Sequence, residues 1–250
     1  MPKFFEKNKK KFLFLLIIPI FLICFLIANS FSSFLLKTES PTSSVSSTPF
    51  EIYFISLSKS QVKNEALSHS KDFQALNAGG FVFEYENYFY IISSAYINKN
   101  DAVLVQNNLK NTYSLDSEIF SIKYKSYSIF GSFSSEENKI LSKAVNSFLE
   151  YYKNIYDIAV SLDTAVYNEI SARMAVNNIH NNLCTIIDNF NLIFQEKDEN
   201  LTFFYEKLLN LKEISQFLCS GIALNNLQTY SSLLKYRYTE CLNLFYEMIK

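Results

Sequence analysis

The chain contains two histidines, and neither has a neighbour that would complete a metal site or a proton-transfer pair. His69 and His180 lie in separate helical segments. A catalytic histidine needs a nucleophile, a carboxylate or a metal within hydrogen-bonding reach. Asparagines flank His180 on both sides. The spacing therefore predicts that both imidazoles are solvent-facing helix residues without a chemical role.

Acidic residues approach one another at two places, Asp157 with Asp163 and Glu196 with Asp198 and Glu199. Carboxylate pairs act as acid and base in many hydrolases, but the polar face of an amphipathic helix explains these residues equally well. The sequence has no glycine-rich phosphate loop and no nucleophile elbow. We therefore expect a protein that is not an enzyme, with no catalytic residue, no metal ligand and no cofactor.

The four cysteines also lack the spacing of a metal site or of a disulfide framework. Cys24 lies in an apolar N-terminal segment, while Cys184, Cys219 and Cys241 are scattered through helical sequence. Three thiols permit at most one disulfide, and the sequence does not show whether one forms. We interpret the three as small apolar residues that are buried between helices.

Composition limits the classes of partner and the architecture. With 23 basic and 24 acidic residues the charge is nearly balanced, so nucleic acid is not an expected partner. Only four glycines and four prolines occur in 250 residues, and these residues usually separate short elements. Their scarcity predicts long, uninterrupted helices.

The N-terminal region predicts a single membrane span. Residues 1–11 form a basic tail containing Lys7 and Lys9 to Lys11, and residues 12–36 are almost entirely apolar and carry no charge. About 20 apolar residues cross a bilayer, and basic flanks stay in the cytoplasm. We expect a single-pass cell-membrane protein with a cytoplasmic N-terminus and an extracytoplasmic body. A cleaved signal peptide ending near Ala28 is the alternative.

The segment that follows is a predicted stalk. Residues 37–49 read KTESPTSSVSSTP, and such Ser/Thr/Pro-rich sequence offers little apolar surface to bury. It predicts a flexible connection between the membrane and the first domain.

Residues 50–125 predict a compact α+β domain. Strands are expected at 52–57, 81–85, 88–93 and 118–124, because β-branched and aromatic residues concentrate there. A helix is expected at 60–77, ended by Gly79 and Gly80, and a second one is expected to be capped by Asn100 or Asp101. The order β-α-β-β-α-β predicts an antiparallel sheet with both helices on one face.

Residues 134–250 predict a helical domain. Apolar residues recur every three or four positions, and the segment contains one glycine and no proline. Breaks near Asp163, near 197–200 and at Gly221 divide the segment into about four helices, which we expect to pack as a bundle. Its tyrosines and phenylalanines exceed what one buried stripe requires, so a protein partner or self-association through this segment is a further expectation.

Residues 75–109, ALNAGGFVFEYENYFYIISSAYINKNDAVLVQNNL, resemble part of the SPOR family, the peptidoglycan-binding module of bacterial division and sporulation proteins. The resemblance is strongest to the membrane-anchored SPOR proteins of spore-forming Firmicutes, which also carry a helical C-terminal region. The matching positions are Phe89-Tyr90-Ile91 for the family's Tyr-Arg-Val, Tyr96 for its closing aromatic, and Asp101, Ala102, Val105 and Leu109 for its second helix.

This resemblance implies a membrane-anchored cell-envelope protein that binds peptidoglycan glycan strands on the open face of its sheet. The implied glycan-binding residues are Phe54, Ser56, Glu84, Tyr90 and Ile92. The same apolar residues could instead form an interface with the helical domain. Residues 55–60 read ISLSKS where the family has Val-Gln-x-Gly-x-Phe. A degenerate SPOR-like fold that acts as an extracytoplasmic protein-interaction scaffold through its helical domain is therefore the second interpretation.

Overall fold

The structure of the protein is a computed structural model that describes residues 43–220 and 228–250. Its contacts divide the chain into two units. The large one comprises Ser44–Ile129 and Ser134–Lys250, and the small one contains, of its described residues, Ser43 and Phe130–Phe133. Both predicted domains, 50–125 and 134–250, therefore belong to one compact unit.

The described residues contain six strands and six helices. In chain order they are β1 (Ser43–Ser46), β2 (Phe50–Ser60), α1 (Lys63–Ala75), β3 (Phe81–Tyr85), β4 (Tyr88–Tyr96), α2 (Lys99–Tyr113), β5 (Glu118–Tyr124), β6 (Ser128–Gly131), α3 (Ser135–Asp163), α4 (Glu169–Ile193), α5 (Glu199–Ser220) and α6 (Tyr230–Ile249). The predicted α+β class and the predicted antiparallel sheet are confirmed.

The main sheet has the strand order β3-β4-β2-β5, with every neighbouring pair antiparallel. Consequently β2 runs parallel to β3, and β4 runs parallel to β5. Helix α1 connects the first of these parallel pairs and α2 connects the second. Crossovers between parallel strands are almost always right-handed, and two crossovers of the same hand place both helices on one face of the sheet.

A small core joins α2 to this face of the sheet, which we call the inner face. Ile55, Tyr96 and Ala102 are buried together, with Val105 and Leu109 packed beside them. Ala102 is fully buried, and its short side chain lets α2 approach the strands closely.

The ends of α1 and α2 differ from the prediction. Helix α2 is capped by Asn98, whose side chain accepts a hydrogen bond from the backbone N–H of Asn100. The cap therefore lies two residues before the predicted Asn100. Helix α1 ends at Ala75, and the left-handed residue after it is Asn77, with φ of 64°. Asparagine tolerates this conformation better than most residues.

Gly79 has a different role from the predicted helix stop. A Cβ atom built on Gly79 would lie 3.1 Å from the backbone carbonyl carbon of Lys235 and 3.1 Å from the amide nitrogen of Tyr236, both in α6. A Cβ atom at this position would be in tight contact with the α6 backbone, so the glycine lets α6 approach the loop before β3 closely.

Helices α3 to α6 are the four predicted helices. Each packs against its neighbour in sequence, and α6 also packs along α3, which closes a four-helix arrangement. Ser134 begins α3 with a capping box, in which its hydroxyl accepts from the amide of Glu137 and the Glu137 carboxylate accepts from the amide of Ser134. The predicted breaks near Asp163 and near 197–200 are confirmed. Gly221 lies outside the described residues.

The helices and the sheet share buried hydrogen bonds. The hydroxyl of Tyr152 in α3 donates to the carbonyl of Ala95 in β4 at 2.9 Å. The backbone N–H of Ala95 donates to the hydroxyl of Tyr238 in α6 at 3.2 Å. Both tyrosines are fully buried. These bonds satisfy both backbone groups of Ala95 and attach two helices to β4, an inner strand of the sheet.

The described part of the predicted stalk is attached to the body. Residues 43–46 form β1, which pairs with β6, and Val45 is buried. Ser47 N–H donates to the carbonyl of Tyr127 at 2.9 Å, and Thr48 N–H donates to Asn146 Oδ1 at 3.1 Å. Residues 43–48 therefore differ from the predicted flexible connection, because their backbone finds partners in the folded unit.

The predicted cytoplasmic tail, residues 1–11, and the predicted membrane span, residues 12–36, lie outside the described residues, as does the start of the stalk. Among the residues that the structure describes, no helix is both long and apolar enough to cross a bilayer.

Candidate functional site

The strand register brings four of the five predicted glycan-binding residues to one side of the sheet. Phe54 lies opposite Phe120 of β5, and Ser56 lies opposite Ile92 of β4. Tyr90 pairs with Phe83 of β3. Residues that pair directly in an antiparallel sheet share a face. Phe54, Ser56, Tyr90 and Ile92 therefore lie together, on the side opposite the inner face, which we call the aromatic face.

Glu84 lies on the other side. It pairs with Phe89, which is adjacent to Tyr90 and so points to the inner face. Glu84 is exposed to solvent. Four of the five predicted residues therefore share a face of the sheet, and Glu84, which lies in β3, does not join them.

Helix α6 covers most of the aromatic face. The rings of Phe81 and Tyr236 are 5.2 Å apart, and those of Phe83 and Tyr246 are 5.6 Å apart. Next to Tyr246 in the helix, Phe245 lies 6.0 Å from Tyr124 of β5. These contacts run along α6 from its second turn to its last turn. The face that an exposed platform would use is thus largely an interface with the helices.

The four predicted site residues on this face are buried. Phe54 and Ile92 are fully buried, Ser56 retains 2% of its exposure and Tyr90 retains 7%. The Ser56 hydroxyl donates within its own strand region, to the carbonyl of Ser58 at 2.8 Å. The packing corresponds to the alternative in which these residues form an interface with the helical segment.

One end of the aromatic face remains accessible. The half-exposed rings of Tyr85, Tyr88 and Phe120 surround Tyr90 beyond the last turn of α6. Tyr90 lies 4.5 Å from Phe120 and 6.3 Å from Tyr88, and Tyr85 stacks on Phe120 at 5.6 Å. We call these four rings, together with Lys59 and Glu118, the sheet-end surface.

An ion pair borders the rings of the sheet-end surface. Lys59 Nζ lies 2.9 Å from Glu118 Oε2 and 5.6 Å from the ring centroids of both Tyr88 and Tyr90. The hydrogen bond with Glu118 raises the pKa of Lys59 above its ordinary value. Burial raises the pKa of the Tyr90 phenol. At neutral pH, therefore, the lysine is a charged donor and the phenol is neutral.

These groups suit binding better than proton transfer. A lysine with a raised pKa is a poor base, and a neutral phenol is a poor nucleophile. Aromatic faces next to a charged donor and a carboxylate acceptor can stack on an apolar ring face while hydrogen-bonding its hydroxyl groups. The sheet-end surface therefore has the composition of a polar-ligand platform.

His180, Ser215 and Cys184 form a polar group between α4 and α5 that the sequence did not predict. His180 Nδ1 is 3.2 Å from the hydroxyl of Ser215, and His180 Nε2 is 3.5 Å from the thiol of Cys184. Burial, and to a lesser extent the charge of Lys212, lowers the pKa of His180. The prediction that His180 is a solvent-facing residue without partners was wrong. The sequence feature that could have revealed this contact is the four-residue spacing of His180 and Cys184, which places both side chains on one helix face. His69 is solvent-exposed, as predicted.

Cys184, Cys219 and Cys241 are free thiols. Cys241 is buried in α6, as expected of a small apolar residue, and burial raises its pKa. Cys184 and Cys219 are half-buried. Within the described residues, no group of three or more histidines, cysteines and carboxylates is arranged to hold a metal ion.

No protein-family model matches the chain. Comparison with curated proteins and with solved structures also found no significant match.

Proposed function

We propose that this protein is a non-catalytic, membrane-anchored cell-envelope protein whose sheet-end surface binds peptidoglycan glycan strands during division or sporulation. In this proposal residues 50–125 are a SPOR-like βαββαβ domain and residues 12–36 anchor the chain in the cell membrane. The body of the chain is extracytoplasmic.

The accessible aromatic cluster is the observation that carries this proposal. Tyr85, Tyr88 and Phe120 are half-exposed on the side of the sheet opposite α2, where the SPOR resemblance implies the glycan site. Lys59 and Glu118 supply a donor and an acceptor at its border. Since Phe54, Ile92 and Tyr90 are buried, the proposed contact is smaller than the whole sheet face and is centred on the half-exposed rings of Tyr85, Tyr88 and Phe120.

Replacing Tyr88 with alanine is expected to weaken retention of the full chain on purified peptidoglycan sacculi. The change removes one half-exposed ring, and an aromatic contact of this kind is worth about 0.5–1.5 kcal/mol, or roughly threefold to tenfold in affinity. Co-sedimentation of the detergent-solubilised full chain with sacculi, before and after removal of stem peptides, measures the effect. Retention should be stronger on the stripped strands.

The matched control is Tyr113→Ala, which removes a tyrosine that is 63% exposed at the end of α2. It should leave retention unchanged. Equal loss in both variants, or no retention of the folded wild-type chain, would sink the proposed glycan contact.

A protein-interaction scaffold is the second candidate, and an exposed apolar cluster favours it. Val166, Ile170 and Met174 are each 65–72% exposed around the connection from α3 to α4. Ile170 and Met174 are one helical turn apart and share a face. Apolar residues that cluster on a surface commonly mark contacts with other proteins. This candidate predicts that the folded chain does not sediment with sacculi.

A further inference from the structure

Three side chains form a connected series between α4 and α5. Nε2 of His180 lies 3.5 Å from the Sγ atom of Cys184, and Nδ1 of His180 lies 3.2 Å from the hydroxyl oxygen of Ser215. Ser215 is completely buried, whereas His180 and Cys184 are half-buried and so retain contact with solvent. A thiol, an imidazole beside it and a third group that orients the imidazole form the arrangement that activates a nucleophilic cysteine. None of the three residues belongs to the sheet-end surface.

Ser215 can fix the nitrogen of His180 that faces the thiol. A neutral imidazole carries a hydrogen on one nitrogen and a lone pair on the other. When Nδ1–H donates to the Ser215 hydroxyl, Nε2 carries the lone pair and can accept the hydrogen of the Cys184 thiol. Burial, and to a lesser extent the charge of Lys212, lowers the pKa of His180. The imidazole is therefore neutral at neutral pH, which leaves Nε2 free to accept a proton.

The other titratable groups near this series come from α3, α4 and α5. Lys212 of α5 supplies the positive charge that acts on His180. In α4, Asp188 lies one turn beyond Cys184 and is exposed. Tyr151 of α3, which interacts with Ser215, is buried, and burial raises its pKa, so its phenol stays neutral. The imidazole and the thiols are therefore the groups of this region that titrate between about pH 5 and 9.

Cys219 and Cys241 are two thiols of the same chain with different surroundings. Cys219 is half-buried, as Cys184 is, and burial raises its pKa. Cys241 is completely buried, with its thiol 3.5 Å from the carbonyl oxygen of Phe148, and burial also raises its pKa. A raised pKa keeps a cysteine in the unreactive thiol form. In the described part of the chain, only Cys184 has an imidazole within hydrogen-bonding distance.

We propose that Cys184 is a reactive thiol that forms mixed disulfides with low-molecular-weight disulfides, and that His180 accepts its proton. Nε2 of His180 takes the proton from Sγ, and the thiolate attacks one sulfur of the disulfide. The new S–S bond to Cys184 forms as the original S–S bond breaks, and the leaving thiolate takes the proton from His180 and departs as a thiol. The cysteine is thereby oxidised, and one half of the disulfide is reduced. Ser215 is a positioning residue, because it acts through the imidazole.

Labelling of the full chain in detergent with dithiobis-nitrobenzoate, a small aromatic disulfide, tests which thiol reacts. Peptide mapping by mass spectrometry under non-reducing conditions, at successive times after mixing, gives a rate for each cysteine. A hydrogen bond to a charged group changes an equilibrium by about tenfold, so Cys184 should react about tenfold faster than Cys219 at neutral pH. Cys241 should not react while the chain is folded. Equal rates at Cys184 and Cys219 would overturn the proposal.

Replacing His180 with glutamine removes the titrating imidazole and keeps a polar side chain, so Cys184 should react about tenfold more slowly at neutral pH. The pH dependence should change as well. With His180 present, the rate should vary little between about pH 7 and 8, because the neutral imidazole takes the proton. In His180→Gln the rate should rise with pH toward the ordinary thiol pKa of about 8.5. The matched control His69→Gln, which changes the exposed histidine of α1, should leave the rate and its pH dependence unchanged.

The reactivity of Cys241 shows whether each variant is folded, since unfolding exposes that buried thiol. In a folded His180→Gln variant, an unchanged rate and pH dependence at Cys184 would overturn the proposal. If that variant does not fold, the pH dependence of the wild-type chain decides. A wild-type rate at Cys184 that rises about tenfold per pH unit between about pH 7 and 8 is the behaviour of an ordinary thiol, and it would overturn the role of His180.

Discussion

Replacing Phe245 with alanine is expected to lower the free energy of unfolding by about 3–5 kcal/mol, the usual cost of deleting a buried aromatic ring. Phe245 is 1% exposed and lies between the sheet and α3. Its ring is 5.6 Å from Phe50 in β2 and 5.6 Å from Phe148 in α3. In a chain of this size the midpoint of thermal unfolding should fall by roughly 10 °C. Circular dichroism of the full chain in detergent measures the shift.

The control for this prediction is Phe203→Ala. Phe203 lies in α5 and is 41% exposed, so its removal creates no closed cavity and should cost less than about 1 kcal/mol. If Phe245→Ala were no more destabilising than Phe203→Ala, then α6 would not cover the aromatic face. The four strand residues on that face would then be open to solvent, as a platform requires.

Above about pH 10 the protein is expected to lose stability steeply. Tyr124, Tyr151, Tyr152 and Tyr238 are each at most 2% exposed, and burial raises the pKa of each phenol well above its ordinary value. In the unfolded chain these phenols ionise near pH 10, while in the folded chain they remain protonated. Stability is therefore complete below pH 10 and falls as the pH rises beyond it.

The size of this effect follows from the number of phenols. Each phenol lowers the free energy of unfolding by about 1.4 kcal/mol for every pH unit above 10. The four phenols together lower it by roughly 5–6 kcal/mol per pH unit. The fall is comparable with the whole stability of a typical domain, about 5–15 kcal/mol. We expect loss of helical circular dichroism to coincide with a cooperative rise in phenolate absorbance between about pH 10 and 12.

Two tyrosine-to-phenylalanine variants distinguish burial from a general effect of alkali. Tyr124→Phe removes one buried phenol whose hydroxyl has no hydrogen-bond partner among the described residues, and it should reduce the slope by about 1.4 kcal/mol per pH unit. Tyr113→Phe changes an exposed phenol and should leave the slope unchanged. Gradual ionisation of all tyrosines near pH 10 with the helices intact would contradict the burial of these four side chains.

The strand positions and the residues that share a face could be predicted because strands have a period of two. Tyr90 and Ile91 are adjacent in β4, so a period of two places them on opposite faces, and the register agrees. Likewise Ala102, the small residue beneath Ile55 and Tyr96, was identifiable from its position in α2. These features depend on residues close together in the sequence.

The cover on the aromatic face could not be predicted, because an apolar helical stripe does not specify what it packs against. Tyr236, Phe245 and Tyr246 were visible as part of an aromatic excess in the helical segment. Their partners, including Phe81 and Tyr124, are more than 100 residues earlier in the chain. Gly79 was similarly misinterpreted as a helix stop, since the close approach of α6 is a long-range contact.

The contacts of His180 were missed for a different reason. Its neighbour at i+4, Cys184, was available from the sequence, but Ser215 comes from α5, which packs on α4 only in the folded chain. Asparagines around His180 indicated solvent, yet Asn178, Asn181 and Asn182 lie on other faces of the same helix. The capping of α2 by Asn98 shows that element boundaries depend on the local backbone more than on the type of one residue.

Hydrogen–deuterium exchange of the full chain, with and without soluble glycan strands that lack stem peptides, tests the central claim most directly. The account predicts slower exchange at 58–60, 85–90 and 118–120, the segments that carry the sheet-end surface, while 230–249 remains unchanged because α6 stays in place. Slower exchange at 52–56 with faster exchange in 230–249 would show that glycan displaces α6. That result, or no change at any of these segments, would contradict binding at the sheet-end surface.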